Sequence, residues 1–185
     1  MRIEKIVILP LLLCICVLAR LLPHPANFAP VAAAALFAAA HYRSLSLRLA
    51  LPLGAMFLSD AVIGFYNWKL MAAVYCGLTL PPIIAGAFLA KFKPGAIGVV
   101  AGALFSSVGF FLISNTAVWA ISPFYAHSLQ GLAACLTAAI PFFKNTVLGD
   151  LCWSATFFGG YALWQAAQTA FEVRRFSQLV PVKAR

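Results

Sequence analysis

An all-helical integral membrane bundle is the fold the sequence predicts, with six spanning helices and an extra re-entrant or interfacial helix before the last. Three observations predict it. The chain of 185 residues is 64% hydrophobic and only 9% charged, with a mean hydropathy of +0.97, whereas a soluble domain is roughly half apolar and about a quarter charged. Long apolar runs recur at about the length that crosses a bilayer, roughly 20 residues. Basic residues fall at every second connection, as in proteins oriented by the positive-inside rule. No polar linker interrupts the chain, so residues 1–185 read as a single transmembrane transport domain.

The first helix is expected near 4–21. Its start, "MRIEKIVILPLLLCICVLA", has the basic end and apolar run of a signal peptide, but it leads into Arg20 and "LLPHPANFAP" rather than a small-residue cleavage site. A second, short helix near 28–41 carries "VAAAALFAAA" and suits a tilted or deeply packed position. The third, fourth and fifth are placed near 46–65, 69–90 and 95–119. Between Pro123 and Pro141 the stretch "SPFYAHSLQGLAACLTAAIPFF" is helical but too short to cross, which predicts the re-entrant or interfacial piece. The sixth helix follows near 145–170. On the fifth, Gly98, Gly102 and Ser106 recur every fourth residue, the spacing that lets helices approach closely.

Charge placement orients this bundle. Arg2, Lys5, Arg43, Arg48, Lys91, Lys93, Arg174, Arg175, Lys183 and Arg185 fall on one side, and only Arg20, Lys69 and Lys144 on the other. Both termini are therefore expected in the cytoplasm of a multi-pass inner (plasma) membrane protein. The formal charge of +9 is orientation signal and attraction to anionic lipid, with no need of nucleic acid. The five cysteines all lie in apolar segments, which excludes a disulfide framework of the secreted kind.

On that orientation the unusual polar groups gather at the outer face: His24 and Asn27, Asp60, Tyr66, Asn67 and Lys69, Asn115 and Trp119, then Lys144, Asn145 and Asp150. Each also has a plain structural role open to it. Asp60 and Asp150 suit either a ligand pocket or pairing with Lys69 and Lys144, which offsets the cost of a carboxylate in the bilayer. Tyr66, Trp68, Trp119 and Tyr125 have the character of interface-belt aromatics. No phosphate-binding loop, H-E-x-x-H helix or G-x-S-x-G elbow is present. An outward pocket in a small bundle without hydrolytic motifs points to substrate capture for transport.

The blocks "RLLPHPANFAPVAAAALF", "LSDAVIGFY", "FFLISNTAVW" and "AAIPFFKNTVLGD", within roughly residues 18–160, resemble the signature segments of a family of small six-helix transport proteins. That family is similar to the substrate-binding S components of energy-coupling-factor vitamin transporters. Within it, the cysteine in "VYCG" resembles that of the BtuM-type cobalamin transporters, in which a pocket cysteine ligates the cobalt of the vitamin. The resemblance implies that Cys76 is that ligand and cobalamin the cargo, with no cofactor of the protein's own. S components dock on a membrane scaffold and its ATPase module through an A-x-x-x-A pattern on the first helix. Here the first helix has no such pair, while Ala34/Ala38 and Ala35/Ala39 have the spacing on the second, so an energy-coupling ATPase partner is left open.

Chemistry supports the same residue. Cys76 lies seven positions beyond Lys69, about 10 Å below the outer interface at about 1.5 Å per residue. A thiolate is a soft donor for a late first-row metal, which in turn favours its deprotonation. A corrin also calls for aromatic and amide partners. Tyr75, Phe28, Trp68, Asn27, Asn67 and Asn115 are of those types, with Asp60 beside them. Two alternatives remain open: an S-component-like transporter of another vitamin or small metabolite with Cys76 as a packing residue, and an intramembrane thiol enzyme or redox protein.

Overall fold

The computed structural model describes residues 3–93 and 95–179, with side chains described from 7 to 175. Arg2, Lys183 and Arg185 and the side chain of Lys5, which entered the charge count, lie outside the described residues. Six helices follow one another: α1 (Ile3–Leu21), α2 (Val31–His41), α3 (Leu45–Ile63), α4 (Trp68–Phe92), α5 (Gly95–Ile121) and α6 (Leu129–Leu179). Four of them, α3 to α6, are long and apolar enough to cross a membrane, while α1 and α2 contribute the shorter apolar stretches Val7–Leu21 and Val31–His41. The connections 22–30, 64–67 and 122–128 lie at one end of the bundle; 42–44 and Lys93 lie at the other.

α2 is the hub. It packs against every other helix, and Val31 to Ala39 are all buried. A helix that is apolar all round belongs in a core, and alanine lets its neighbours come close. The tightest approach is Gly86 on α4, where a Cβ would stand 2.5 Å from Ala39 Cβ and 2.6 Å from the Leu36 carbonyl oxygen. The small-residue ridge on α5 does the same service at Gly102, where a Cβ would stand 3.2 Å from Leu36 Cδ1. Between α4 and α5, the ring of Pro81 fills the space that a Cβ on Gly109 would need, 2.5 Å away. The prolines within α1, α3, α4 and α6 are tolerated as in other membrane helices, whose neighbours and side chains satisfy the freed carbonyls.

The 22–30 connection descends into the bundle. Its Phe28 packs on Gly149 of α6, where an added Cβ would stand 3.1 Å from Phe28 Cα, and the Phe28 carbonyl accepts from Trp153 Nε1 at 3.4 Å. The next residue of α6, Asp150, meets Ser107, at the middle turn of α5. Thus α2 starts at half height and fills only the half of the bundle nearer the 42–44 end.

Two elements differ from expectation. α2, expected as one of six spanning helices, has only 11 residues and is not among the four long enough to cross. The stretch expected to form a separate re-entrant helix is continuous with the last helix, and α6 runs 51 residues straight past Pro141. Proline removes one N–H and bends a helix without having to end it, and the flanking "AACLTAA" and "FFKNTVL" contain no turn-forming pair. At about 1.5 Å per residue α6 is about 75 Å long, more than twice a hydrocarbon core of about 30 Å.

Candidate functional site

The densest polar network joins α1, α3 and α4 near the 64–67 end. Arg20, in the last turn of α1, pairs through Nη2 with Asp60 Oδ1 and donates from Nε to Ser59 Oγ at 2.6 Å. Tyr75 of α4 donates its hydroxyl to Asp60 Oδ2 at 2.8 Å. Asp60 is 2% exposed and Arg20 17%, so the carboxylate has exchanged water for a guanidinium and a phenol. Ser59 in turn shares its one hydroxyl proton between the carbonyls of Ala55 and Met56, at 2.7 and 3.0 Å. Tyr66, in the 64–67 connection, feels the same centre: burial first, and the Asp60 charge second, raise its phenol above the ordinary tyrosine value.

These partners differ from those expected from sequence. Asp60 pairs with Arg20 rather than Lys69, whose Nζ stands 5.8 Å over the Trp68 ring. Asp150 meets Ser107 rather than Lys144. Lys144 and Asp150 are six positions apart, which places them on different faces of α6, and Lys144 is exposed where Asp150 is buried.

The other site candidates divide by position. Asn67 caps α4, its side-chain oxygen accepting from the N–H groups of Lys69 and Leu70 at 3.0 and 3.4 Å, the helix-starting role of an asparagine. Trp68 is 69% exposed beside it. Cys76 is an exposed free thiol. It follows Tyr75 in sequence but lies on a stripe of α4 with Ala72, Leu80, Ile84 and Phe88, all exposed, while Tyr75 turns toward α3. Asn115 is a structural part of α5 here: its Nδ2 donates to Phe111 O at 2.7 Å, and its own carbonyl accepts from Cys135 Sγ at 3.4 Å. Asn27, exposed with φ of 63°, and Phe28 belong with Asp150 rather than with Cys76. The structure therefore brings together Asp60 and Tyr75, and separately sets Phe28 against Gly149, the neighbour of Asp150 in the chain.

Sequence reasoning missed Arg20, Ser59 and Ser107 as partners. It also missed a cavity of about 890 Å³ at the 42–44 end, between α2, α4, α5 and α6. Phe158, Tyr161 and His41 form an aromatic wall there, with Phe37 behind them. His41 Nδ1 is 3.0 Å from Phe37 O, and Lys93 and Gln165 add polarity to the lining. Ser154, also in the lining, is buried, with an Oγ that has no hydrogen-bond partner. The signal available in sequence was His41 at the end of the alanine run, facing "FFGGY". Among the described residues no group of three or more His, Cys, Asp or Glu side chains converges as a metal site.

Residues 2–173 match a family of unknown function (DUF6580). No curated protein and no solved structure matches the chain.

Proposed function

The chain belongs to that family, and we propose that it is a membrane transporter that captures cobalamin, or a related corrinoid, at the outer face and delivers it to the cytoplasm. The observation that carries this reading is that Cys76 is a free thiol not enclosed by its neighbours. It lies on the outward apolar stripe of α4, outside both cavities, about 12 Å along the helix from Trp68 at about 1.5 Å per residue, so the corrin would meet it at the side of the helix. A sulfur that must reach the cobalt of a bulky corrin has to be open, and Cys16 and Cys135 are buried. One soft donor is what a metal already ringed by a macrocycle requires at its axial position. Trp68 and Asn67 lie at the same end of α4, offering an aromatic face and an amide. In the same chemistry, a thiolate on cobalt would loosen a cyanide on the opposite axial position.

Replacing this donor tests the reading directly. Cys76→Ser should fold, lose the shift in the visible spectrum of bound cobalamin and bind it at least about tenfold more weakly, roughly 1.4 kcal/mol. Cys152→Ser, at another exposed cysteine, should change neither. An unchanged spectrum in Cys76→Ser, or its loss in Cys152→Ser, would remove cobalt ligation by Cys76.

The proposed orientation puts the 64–67 end outside and both termini in the cytoplasm of the inner membrane. Arg43, Arg48, Lys91, Lys93, Arg174 and Arg175 support it, since each lies at or beyond the 42–44 end. In a cysteine-free background, an impermeant thiol reagent added to intact cells should label Ala126→Cys and miss Ser44→Cys. Labelling at 44 from outside would invert the protein. The A-x-x-x-A pairs of α2 are buried among its own helices, so a shared ATPase module has no docking ridge there, and the proposed transporter does not depend on one at that surface.

A second reading has its own support. The cavity at the 42–44 end has a volume within the range of about 300–1,000 Å³ usual for small-molecule pockets, and it lies far from Cys76. An S-component-like transporter of a smaller vitamin or metabolite would hold its cargo there, and such a protein would keep full uptake as Cys76→Ser.

A further inference from the structure

We propose that Asp150 is a reversible proton-binding site at the middle of the membrane, and that its proton moves with the cargo. The inference rests on the transport reading for its second half only.

The two buried carboxyls of this bundle are treated differently. Asp60 has a guanidinium. Asp150, 3% exposed, has a single hydrogen-bond partner among the described residues, Ser107 Oγ at 2.6 Å, and no cation. The helices packed on α6 are α5 and α2. α5 carries no titratable side chain, and α2 only His41, at its far end. The 22–30 connection brings His24, which is exposed. On α6 itself, Lys144 and Cys152 are exposed on other faces, and Tyr161 lies at the cavity. A carboxylate held there has no opposite charge to offset its burial, which marks an intramembrane acid as a functional group.

Proton arithmetic at Ser107 gives the site two states. Its Oγ lies 2.6 Å from Asp150 Oδ2 and also 3.1 Å from Ala103 O, yet a hydroxyl has one proton to donate. With Asp150 protonated, the carboxyl O–H donates to Ser107 Oγ and Ser107 donates to Ala103 O, so both oxygens are satisfied. With Asp150 ionised, Ser107 must turn its proton to the carboxylate and release Ala103. Ala103 O keeps the helical N–H of Ser107 in either state, so the two arrangements are both hydrogen-bonded and differ by one proton.

On the 64–67 side the 22–30 connection closes over this carboxyl, with Phe28 packed on Gly149. From the other end, Ser154 lies one turn further along the same face of α6. Its Oγ has no partner and it lines the cavity of about 890 Å³, so it stands between Asp150 and water entering that cavity. A hydronium arriving from the cavity transfers its proton to a carboxylate oxygen, whose electron pair forms the new O–H bond, and leaves as water. Release to water is the reverse.

Infrared difference spectra of the protein in lipid, cycled between acid and alkaline buffer, test the site without any cargo. The wild type should show a protonated-carboxyl C=O band that rises on acidification, D150N should lack it, and Ser107→Ala should shift its frequency. No such band, or one that persists unchanged in D150N, overturns the proposal. Proteoliposomes loaded with a pH-sensitive dye test coupling. Cobalamin added outside should acidify the lumen of wild-type vesicles, and any uptake by D150N should proceed without acidification. Cobalamin entering wild-type vesicles with no pH change overturns coupling. A titrating Asp150 band in a protein that takes up no cobalamin supports the proton site while it sinks the cargo assignment.

Discussion

Arg20→Ala is expected to destabilise the bundle by about 3–5 kcal/mol, the usual cost of removing one partner of a buried ion pair. The variant leaves Asp60, 2% exposed, with only the Tyr75 hydroxyl and no positive charge. It also strips Ser59 Oγ of the Nε donor that ties α1 to α3. Arg20→Met with Asp60→Leu removes both charges together and should recover most of the loss, because packed apolar side chains replace a buried pair at little net cost. Thermal unfolding in detergent, followed by fluorescence of the four tryptophans, reads both effects. Wild-type stability in Arg20→Ala would show that the pair contributes nothing; a double variant weaker than the single one would show that its value lies in geometry rather than charge.

Gly86→Ala should cost a further large amount, at or above the upper end of the roughly 1–3 kcal/mol typical of overpacking. The new methyl would meet Ala39 Cβ at 2.5 Å and the Leu36 carbonyl at 2.6 Å. Neither is the end of a flexible side chain, so only separation of α4 from α2 relieves the contact. Gly160→Ala is the control: nothing lies within 4 Å of its Cβ position, and alanine is the better helix former by about 0.5–1 kcal/mol. The same chemical change is expected to move the unfolding midpoint down at 86 and slightly up at 160. Equal shifts at the two positions would mean that the α2–α4 contact is not close-packed.

Much of this architecture was legible in the sequence, because hydrocarbon solvent makes span length and charge placement nearly sufficient. The starts and ends of α1, α3, α4 and α5 fall within a few residues of where apolar runs and basic pairs put them. The burial of α2 followed from a run with no polar residue before His41. Pro141 misled, since a proline marks a bend and the expectation required a break. The side-chain partners were illegible for a different reason. Arg20 and Asp60 are 40 residues apart, and Lys69 looked the nearer cation only along the chain. For Cys76, an apolar helix offers no polar face to show which way a residue points, so its place on the open stripe of α4 had to come from packing. Ser107 and Ser154 are ordinary small residues until their neighbours are known.

The half-length of α2 bears on how the protein is made. Eleven residues extend about 16 Å at about 1.5 Å per residue, too short to enter a bilayer as an independent span. The last residues of its leading connection, 28–30, are irregular backbone packed inside the bundle at the level of Gly149, which lipid would leave with unsatisfied polar groups and which only protein can shelter. The usual scheme, in which each span inserts alone and then associates, therefore cannot apply to residues 22–44. α2 is enclosed only once α4, α5 and α6 are present to pack on it, so the second helix in the chain depends for its shelter on the last three.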